Sequence, residues 1–91
     1  MSFTWDSIKR QANLKKHGLD FADAEQIFSS ETFTFEDDRF AYGEQRFISL
    51  GLLRGHVIVI VHTETEDTIR IISMRRAEKH EQILYFSNLP S

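Results

Sequence analysis

The chain has 91 residues, which suits one domain with one modest core, so two sites on two separate lobes are not expected. Its 41% apolar and 27% charged residues are those of a folded globular protein, and its net charge of −3 argues only weakly against a nucleic-acid ligand. The absence of cysteine excludes disulfides, thiolate catalysis and cysteine-based zinc sites.

The apolar runs are short. The longest, at 57–61, is far too short to cross a membrane, and the N-terminus lacks the apolar segment of a signal peptide. We therefore expect a soluble cytoplasmic protein without membrane association.

Two helices are predicted in the N-terminal part. Asp6 precedes residues 7–17 as a good N-cap, and Gly18 follows them as a residue that readily takes the left-handed conformation. Apolar residues then recur at helical spacing over 21–29, which predicts a second, shorter amphipathic helix.

Four strands are predicted after these helices. The apolar period changes to two at 32–35, which indicates a short strand, and its length and acidic end favour a position at an edge of the sheet. The runs 45–53 and 56–63 flank Arg54 and Gly55 and predict a hairpin, and 68–74 predicts the next strand.

A last helix is predicted over 76–87, with apolar residues roughly on one side. The expected fold is therefore α+β, a single domain over 1–91. It has two N-terminal helices, a four-stranded, mainly antiparallel sheet and a C-terminal helix.

Two stretches contain many specific residues at fixed spacings, as a family motif does. The pattern F-x-W-D-x-x-K-x-x-x-N-x-x-K-H-G-x-x-F-x-x-A runs from Phe3 to Ala24, and R-x-I-S-x-R-x-A runs from Arg70 to Ala77. With the E-x-R element at 44–46, they closely resemble the BrnT family of bacterial type II toxins over nearly the whole chain. Met74 departs from the pattern, because the family more usually has a small residue there.

The resemblance implies a RelE-like fold and a ribonuclease toxin that cleaves RNA without a metal or other cofactor, which inhibits translation. It also implies neutralisation by a cognate ribbon-helix-helix antitoxin in a hetero-oligomeric complex. That complex is expected to bind operator DNA through the antitoxin.

Arginines on and beside the predicted strands suit such chemistry. Metal-free RNA cleavage needs a deprotonated 2′-hydroxyl, stabilised charge on the phosphate oxygens and a protonated 5′-oxygen leaving group. A guanidinium stays charged and can bind two phosphate oxygens at once. We assign Arg46, Arg70 and Arg75 to catalysis and Arg76 to substrate binding, and expect a cluster at one end of the sheet. For each arginine alone, a surface ion pair is an equally good interpretation.

The remaining site residues are candidates with structural alternatives. His62 and Glu44 are catalytic candidates, although His62 also suits a hydrogen-bonded strand end and Glu44 a simple ion pair with the nearby arginine. Lys16, His17 and Trp5 are substrate-binding candidates. Cations also suit the C-terminal end of a helix, and aromatic residues are mostly core.

The histidines lack the spacing of a helical zinc site, so no metal is indicated. An alternative function is a non-catalytic partner-binding module whose basic face docks an acidic protein segment. A DNA-binding regulator is disfavoured, because no recognition helix is evident outside the first helix.

Overall fold

The computed structural model describes residues 1–39 and 41–90. In chain order its elements are strand β1 (Ser2–Trp5), helix α1 (Ser7–His17), a 3-10 turn (Phe21–Asp23), helix α2 (Ala24–Phe28), strands β2 (Phe33–Glu36), β3 (Phe47–Leu53), β4 (His56–Glu64) and β5 (Thr68–Arg76), and helix α3 (Lys79–Ser87). The strands form one sheet in the order β1-β5-β4-β3-β2. None of the helices formed by the described residues has the length and apolar character needed to cross a membrane.

The predicted four-stranded, mainly antiparallel sheet preceded by two helices is wrong. The sheet has five strands and is mixed, because β1 precedes α1 and pairs in parallel with β5 while the other pairs are antiparallel. The four residues of β1 alternate polar and apolar, but their partners begin at Thr68. A pairing so distant in sequence leaves only a faint local signal.

Helix α1 spans Ser7–His17, the bounds predicted from the residues that flank it. The Asp6 carboxylate accepts hydrogen bonds from the amides of Ile8 and Lys9 at 2.9 and 3.0 Å. Gly18 ends the helix with φ 71°, and its amide donates to the Leu14 carbonyl. Both ends of the helix are thus satisfied by residues adjacent to it.

The sheet has an apolar core on each face. One core lies under α1, the 3-10 turn and α2, and contains Leu19, Phe21, Ala24, Ile27, Leu53, Ile58, Ile60, Ile69, Ile71 and Met74. The other faces α3 and contains Ile48, Leu50, Val57, Val59 and Tyr85. The Tyr85 hydroxyl donates to the Glu31 carbonyl at 2.9 Å, which ties α3 to the segment before β2. We call these surfaces the α1 face and the α3 face.

The edge of β5 is only partly covered by β1. Their pairing ends at Trp5 and Ile71, so the later part of β5 has no strand on this side in the described structure. Buried Asn13 of α1 substitutes for one: its side-chain oxygen accepts from the Met74 amide at 3.1 Å, and its side-chain nitrogen donates to the Leu19 carbonyl at 3.0 Å. This side chain therefore holds α1 against the β5 edge.

Gly51 allows α2 to approach the sheet closely. A Cβ atom at this position would lie 2.6 Å from Cγ2 of the fully buried Ile27. We expect Gly51→Ala to destabilise the fold by roughly 1–3 kcal/mol, because the helix or strand must shift. Urea denaturation measures the loss. In an Ile27→Ala background the same substitution should cost less, and an equal cost would contradict the close contact as the cause.

Candidate active site

A concave pocket of about 420 Å³ lies on the α3 face, between the sheet and the N-terminal end of α3. We call it the sheet pocket. Its wall is formed by the apolar residues Phe35, Ile48, Leu50, Val59, Val61 and Leu84 and by the polar residues Arg39, Ser73, Arg75, Glu78, His80 and Glu81. Polar and charged groups thus converge over an apolar floor, as is common in ligand sites.

Arg75 is held in this pocket by Glu81. Its two terminal nitrogens donate to the two carboxylate oxygens of Glu81 at 2.7 and 2.8 Å. Glu81 also accepts from the Glu78 amide at 2.8 Å, within the capping box that begins α3. Hydrogen bonding to Glu81 raises the pKa of Arg75, and hydrogen bonding to Arg75 lowers the pKa of Glu81. Both groups are therefore ionised at neutral pH, and the two parallel hydrogen bonds fix the orientation of the Arg75 guanidinium.

Arg39 reaches the same pocket from the loop after β2. Its Nε and one terminal nitrogen donate to the Asp37 carboxylate at 2.7 and 2.9 Å, and the Tyr42 hydroxyl donates to the same carboxylate at 3.1 Å. Hydrogen bonding to Arg39 lowers the pKa of Asp37 to about 2. The positive charge of Arg39 lowers the pKa of Arg75 and so partly offsets the increase caused by Glu81. Two guanidinium groups from different segments thus face one pocket.

Arg46 lies just before β3 and is fixed by the same loop. Its guanidinium carbon lies 4.1 Å from the centroid of the Tyr42 ring, and a terminal nitrogen donates to Glu44 at 3.4 Å. Its Nε is buried and has no hydrogen-bond partner among the described residues. Neither Arg46 nor Glu44 lines the sheet pocket.

Arg70 lies on the α3 face but further along β5. It pairs with Thr63 of β4, two residues beyond Val61, the β4 partner of Ser73. Strand alternation places Val61 and Thr63 on the same face. Arg70 is exposed and does not line the sheet pocket. The structure thus spreads Arg70 and Arg75 along one face.

Arg76 lies on the opposite face from Arg75. It pairs with Ile58, a residue of the α1-face core, and borders a cleft with Arg54 and His56 at the β3–β4 turn. Adjacent strand residues point to opposite faces, and Arg76 does not line the sheet pocket that Arg75 lines.

His62 is fully buried on the α1 face. Its Nε2 lies 2.7 Å from the Ser49 hydroxyl, and its ring packs between Phe28 and Phe47. Its Nδ1 lies 3.5 Å from a Glu64 carboxylate oxygen but has no hydrogen-bond partner among residues 1–39 and 41–90. Burial lowers the pKa of His62 to about 4, so the ring is neutral at physiological pH. The structure places this predicted catalytic residue away from the sheet pocket.

Comparisons with known proteins place the chain in a family. The family described as "Ribonuclease toxin, BrnT, of type II toxin-antitoxin system" matches residues 5–81. The 1.1 Å crystal structure of the Brucella abortus ribonuclease toxin BrnT is 34% identical to this chain, with a TM-score of 0.63, over 87% of this chain and 99% of that one. The chain belongs to the BrnT family. The comparison with curated proteins gives no significant match.

Membership confirms the resemblance predicted from the two sequence motifs. It makes this chain a ribonuclease toxin of a type II toxin–antitoxin system, which implies an antitoxin as its partner. Several residues of the BrnT motifs have structural roles here. Asp6 and Gly18 cap the two ends of α1, and Asn13 joins α1 to β5.

The remaining predicted site residues of this BrnT chain lie around α1. Lys16 and His17, in the last turn of α1, line a second pocket of about 230 Å³ beside Ser73. Trp5 packs against the α1-face core, and the guanidinium of Arg10 lies 5.6 Å from the centroid of its ring. Arg10 in turn forms an ion pair with Asp20 at 2.7 Å.

Arg39, Glu78 and His80 line the sheet pocket of this BrnT chain but were not predicted as site residues from the sequence. Arg39 lies in an acidic loop without a recognisable motif, and only the spacing Asp-x-Arg at 37–39 hints at the pair. The His80 side chain is 76% exposed, as its sequence context suggests, and it also borders the sheet pocket, with its Nδ1 3.8 Å from the Glu78 carboxylate. Among the described residues, no cluster of histidines and carboxylates could hold a metal ion.

Proposed function

We propose that this toxin is an endoribonuclease that cleaves RNA in the sheet pocket without a metal ion. The observation that carries the proposal is the presence of two guanidinium groups, Arg39 and Arg75, at one pocket. A guanidinium has five N–H donors, so each keeps donors for phosphate beyond those its carboxylate accepts. Together they can stabilise the charge that develops on the non-bridging oxygens.

The proposed reaction is an internal transesterification. The 2′-oxygen loses its proton to a base and attacks the adjacent phosphorus, and the bond from phosphorus to the 5′-oxygen breaks as that oxygen takes a proton. The products are a 2′,3′-cyclic phosphate and a 5′-hydroxyl. His80 and Glu78 are the pocket residues we assign to proton transfer, because imidazole and carboxylate can each accept and return a proton.

The sequence-based assignments of His62 and Glu44 to proton transfer stay predictions. His62 has no exposed surface, so its contact with RNA would require a local opening of the fold. Glu44 and Arg46 lie beside Tyr42, where we propose that they bind the RNA next to the pocket. The assignments of Arg70 to catalysis and of Arg76 and Trp5 to substrate binding also stay predictions, and none of these three residues lines the sheet pocket.

We also propose that the cognate antitoxin is a ribbon-helix-helix protein that silences the toxin by blocking the sheet pocket. A bound antitoxin that left Arg39 and Arg75 open would not exclude RNA. In the hetero-oligomeric complex the antitoxin supplies the contacts to operator DNA, and free toxin inhibits translation by cleaving RNA.

The purified chain, with EDTA present, tests this function on a short single-stranded RNA. We expect cleavage to persist at an unchanged rate and to yield a 2′,3′-cyclic phosphate. Replacing the ribose at the cleavage position by deoxyribose should abolish it, because the nucleophile is then missing. Loss of activity with EDTA and recovery with Mg²⁺ would overturn the metal-free mechanism.

A further inference from the structure

Two pockets meet at the edge of β5. Ser73 lines the sheet pocket and also a second one, which we call the helix pocket, formed with Lys9, Ala12, Asn13, Lys16, His17 and Ile72. The sheet pocket lies on the α3 face, whereas the helix pocket lies beside α1. Their shared residue is at the stretch of β5 that β1 leaves uncovered.

The backbone of β5 is irregular at this point. His62 pairs with Ile71 and Val61 with Ser73, so Ile72 is an extra residue on β5 at a β-bulge. A bulge bends the strand and re-aims the neighbouring side chains. The uncovered edge together with the bulge gives Ser73 access to both pockets.

The helix pocket carries positive charge that is available to a ligand. Lys16 is exposed and forms no ion pair with any residue of the described ranges, and His17 beside it likewise has none. Arg39 and Arg75, in contrast, are both engaged by carboxylates. A phosphate in the helix pocket would therefore not have to compete with a carboxylate for Lys16.

We propose that the RNA substrate runs from the sheet pocket over Ser73 into the helix pocket, where Lys16 and His17 bind a phosphate neighbouring the one that is cleaved. This inference rests on the proposed function and adds the path of the strand. The ligand is single-stranded, because a stiff duplex cannot turn around a sheet edge to reach both pockets. Phosphate contacts of this kind position the strand without reading its sequence.

The adjacent lysines of α1 provide a matched test. Lys15→Ala and Lys16→Ala remove the same charge from the same helix turn, but only Lys16 lines the helix pocket. Binding is measured by fluorescence anisotropy with a single-stranded RNA carrying one deoxyribose at the cleavage position. We expect Lys16→Ala to weaken binding roughly fivefold at 0.1 M salt and to flatten the slope of log K against log salt by about 0.7.

Lys15→Ala should leave that slope almost unchanged. The difference between the two variants should also disappear with a dinucleotide that contains only the phosphate to be cleaved, because it has no neighbouring phosphate to enter the helix pocket. Equal salt slopes for the two variants on the long RNA would overturn the strand path. If Arg75→Ala still cleaved normally, the proposed function itself would fail, so the two failures are distinguishable.

Discussion

Arg75→Ala is expected to lower the rate of RNA cleavage by roughly 100- to 1,000-fold, the loss typical of removing one donor to a developing oxyanion. Arg75 lines the sheet pocket, and Glu81 fixes its fork at 2.7 and 2.8 Å. Most of the loss should appear in kcat, because the guanidinium acts on charge that grows in the transition state. Arg54→Ala is a control that changes an exposed arginine on the β3–β4 turn, away from this pocket.

Arg75→Lys separates charge from geometry. Lysine keeps the positive charge but cannot donate through a planar fork to both Glu81 and phosphate, so we expect only partial recovery of kcat. The substitution also disturbs the capping box of α3, so each variant is first tested for folding by urea denaturation. A folded Arg75→Ala variant with wild-type kcat would refute the assignment of Arg75 to catalysis.

Elements whose signals are local were predictable from the sequence. Helix α1 has its N-cap at Asp6 and its left-handed residue at Gly18, and both are adjacent to the helix they bound. The hairpin of β3 and β4 follows from two apolar runs around Arg54 and Gly55. Strand β1 was missed because four residues gain their stability from a parallel partner far along the chain.

The arrangement of the site depends on features that no short motif encodes. Arg75 and Arg76 are neighbours in sequence, but the extension of β5 through both residues sends them to opposite faces of the sheet. Arg39 enters the pocket through its pairing with Asp37, a loop conformation stabilised by Tyr42. The arginines that line the sheet pocket, Arg39 and Arg75, are therefore a different set from the cluster predicted from the sequence.

His62 shows a signal that was present in the sequence. Strand alternation puts it on the same face as Ile58 and Ile60, two core residues, which indicates a buried ring. In the structure it belongs to a hydrogen-bond network, because the Ser49 hydroxyl contacts both its Nε2 and the Thr34 hydroxyl. Its expected effect is thus on stability, and that effect depends on pH.

The folded protein is expected to lose stability between pH 7 and pH 5 because of His62. Burial lowers its pKa from 6.5 to about 4 in the folded state, so the unfolded chain binds more protons between these values. Stability therefore rises with pH through this window and falls on acidification. From the size of the shift, the loss is roughly 2 kcal/mol by pH 5, reduced where protonation allows an ion pair with Glu64.

Other groups with lowered pKa values do not act in this window. The carboxyls of Asp20 and Asp37 have pKa values of about 2, against an ordinary 3.8. Their contribution to stability is present above the ordinary value and is lost only as the pH falls from there through the folded-state value. A change of the unfolding free energy between pH 5 and pH 7 can therefore be distinguished from acid denaturation caused by these two carboxyls.

Urea denaturation at several pH values, compared between His62→Gln and His56→Gln, measures this effect. Glutamine at position 62 does not titrate but can still hydrogen bond to Ser49, so the slope of unfolding free energy against pH should flatten. His56 is exposed, and its replacement should leave the slope as in the wild type. The readout is the slope and not the absolute stability, so a general destabilisation by glutamine does not obscure it. An unchanged slope in His62→Gln would mean that another group controls stability in this range.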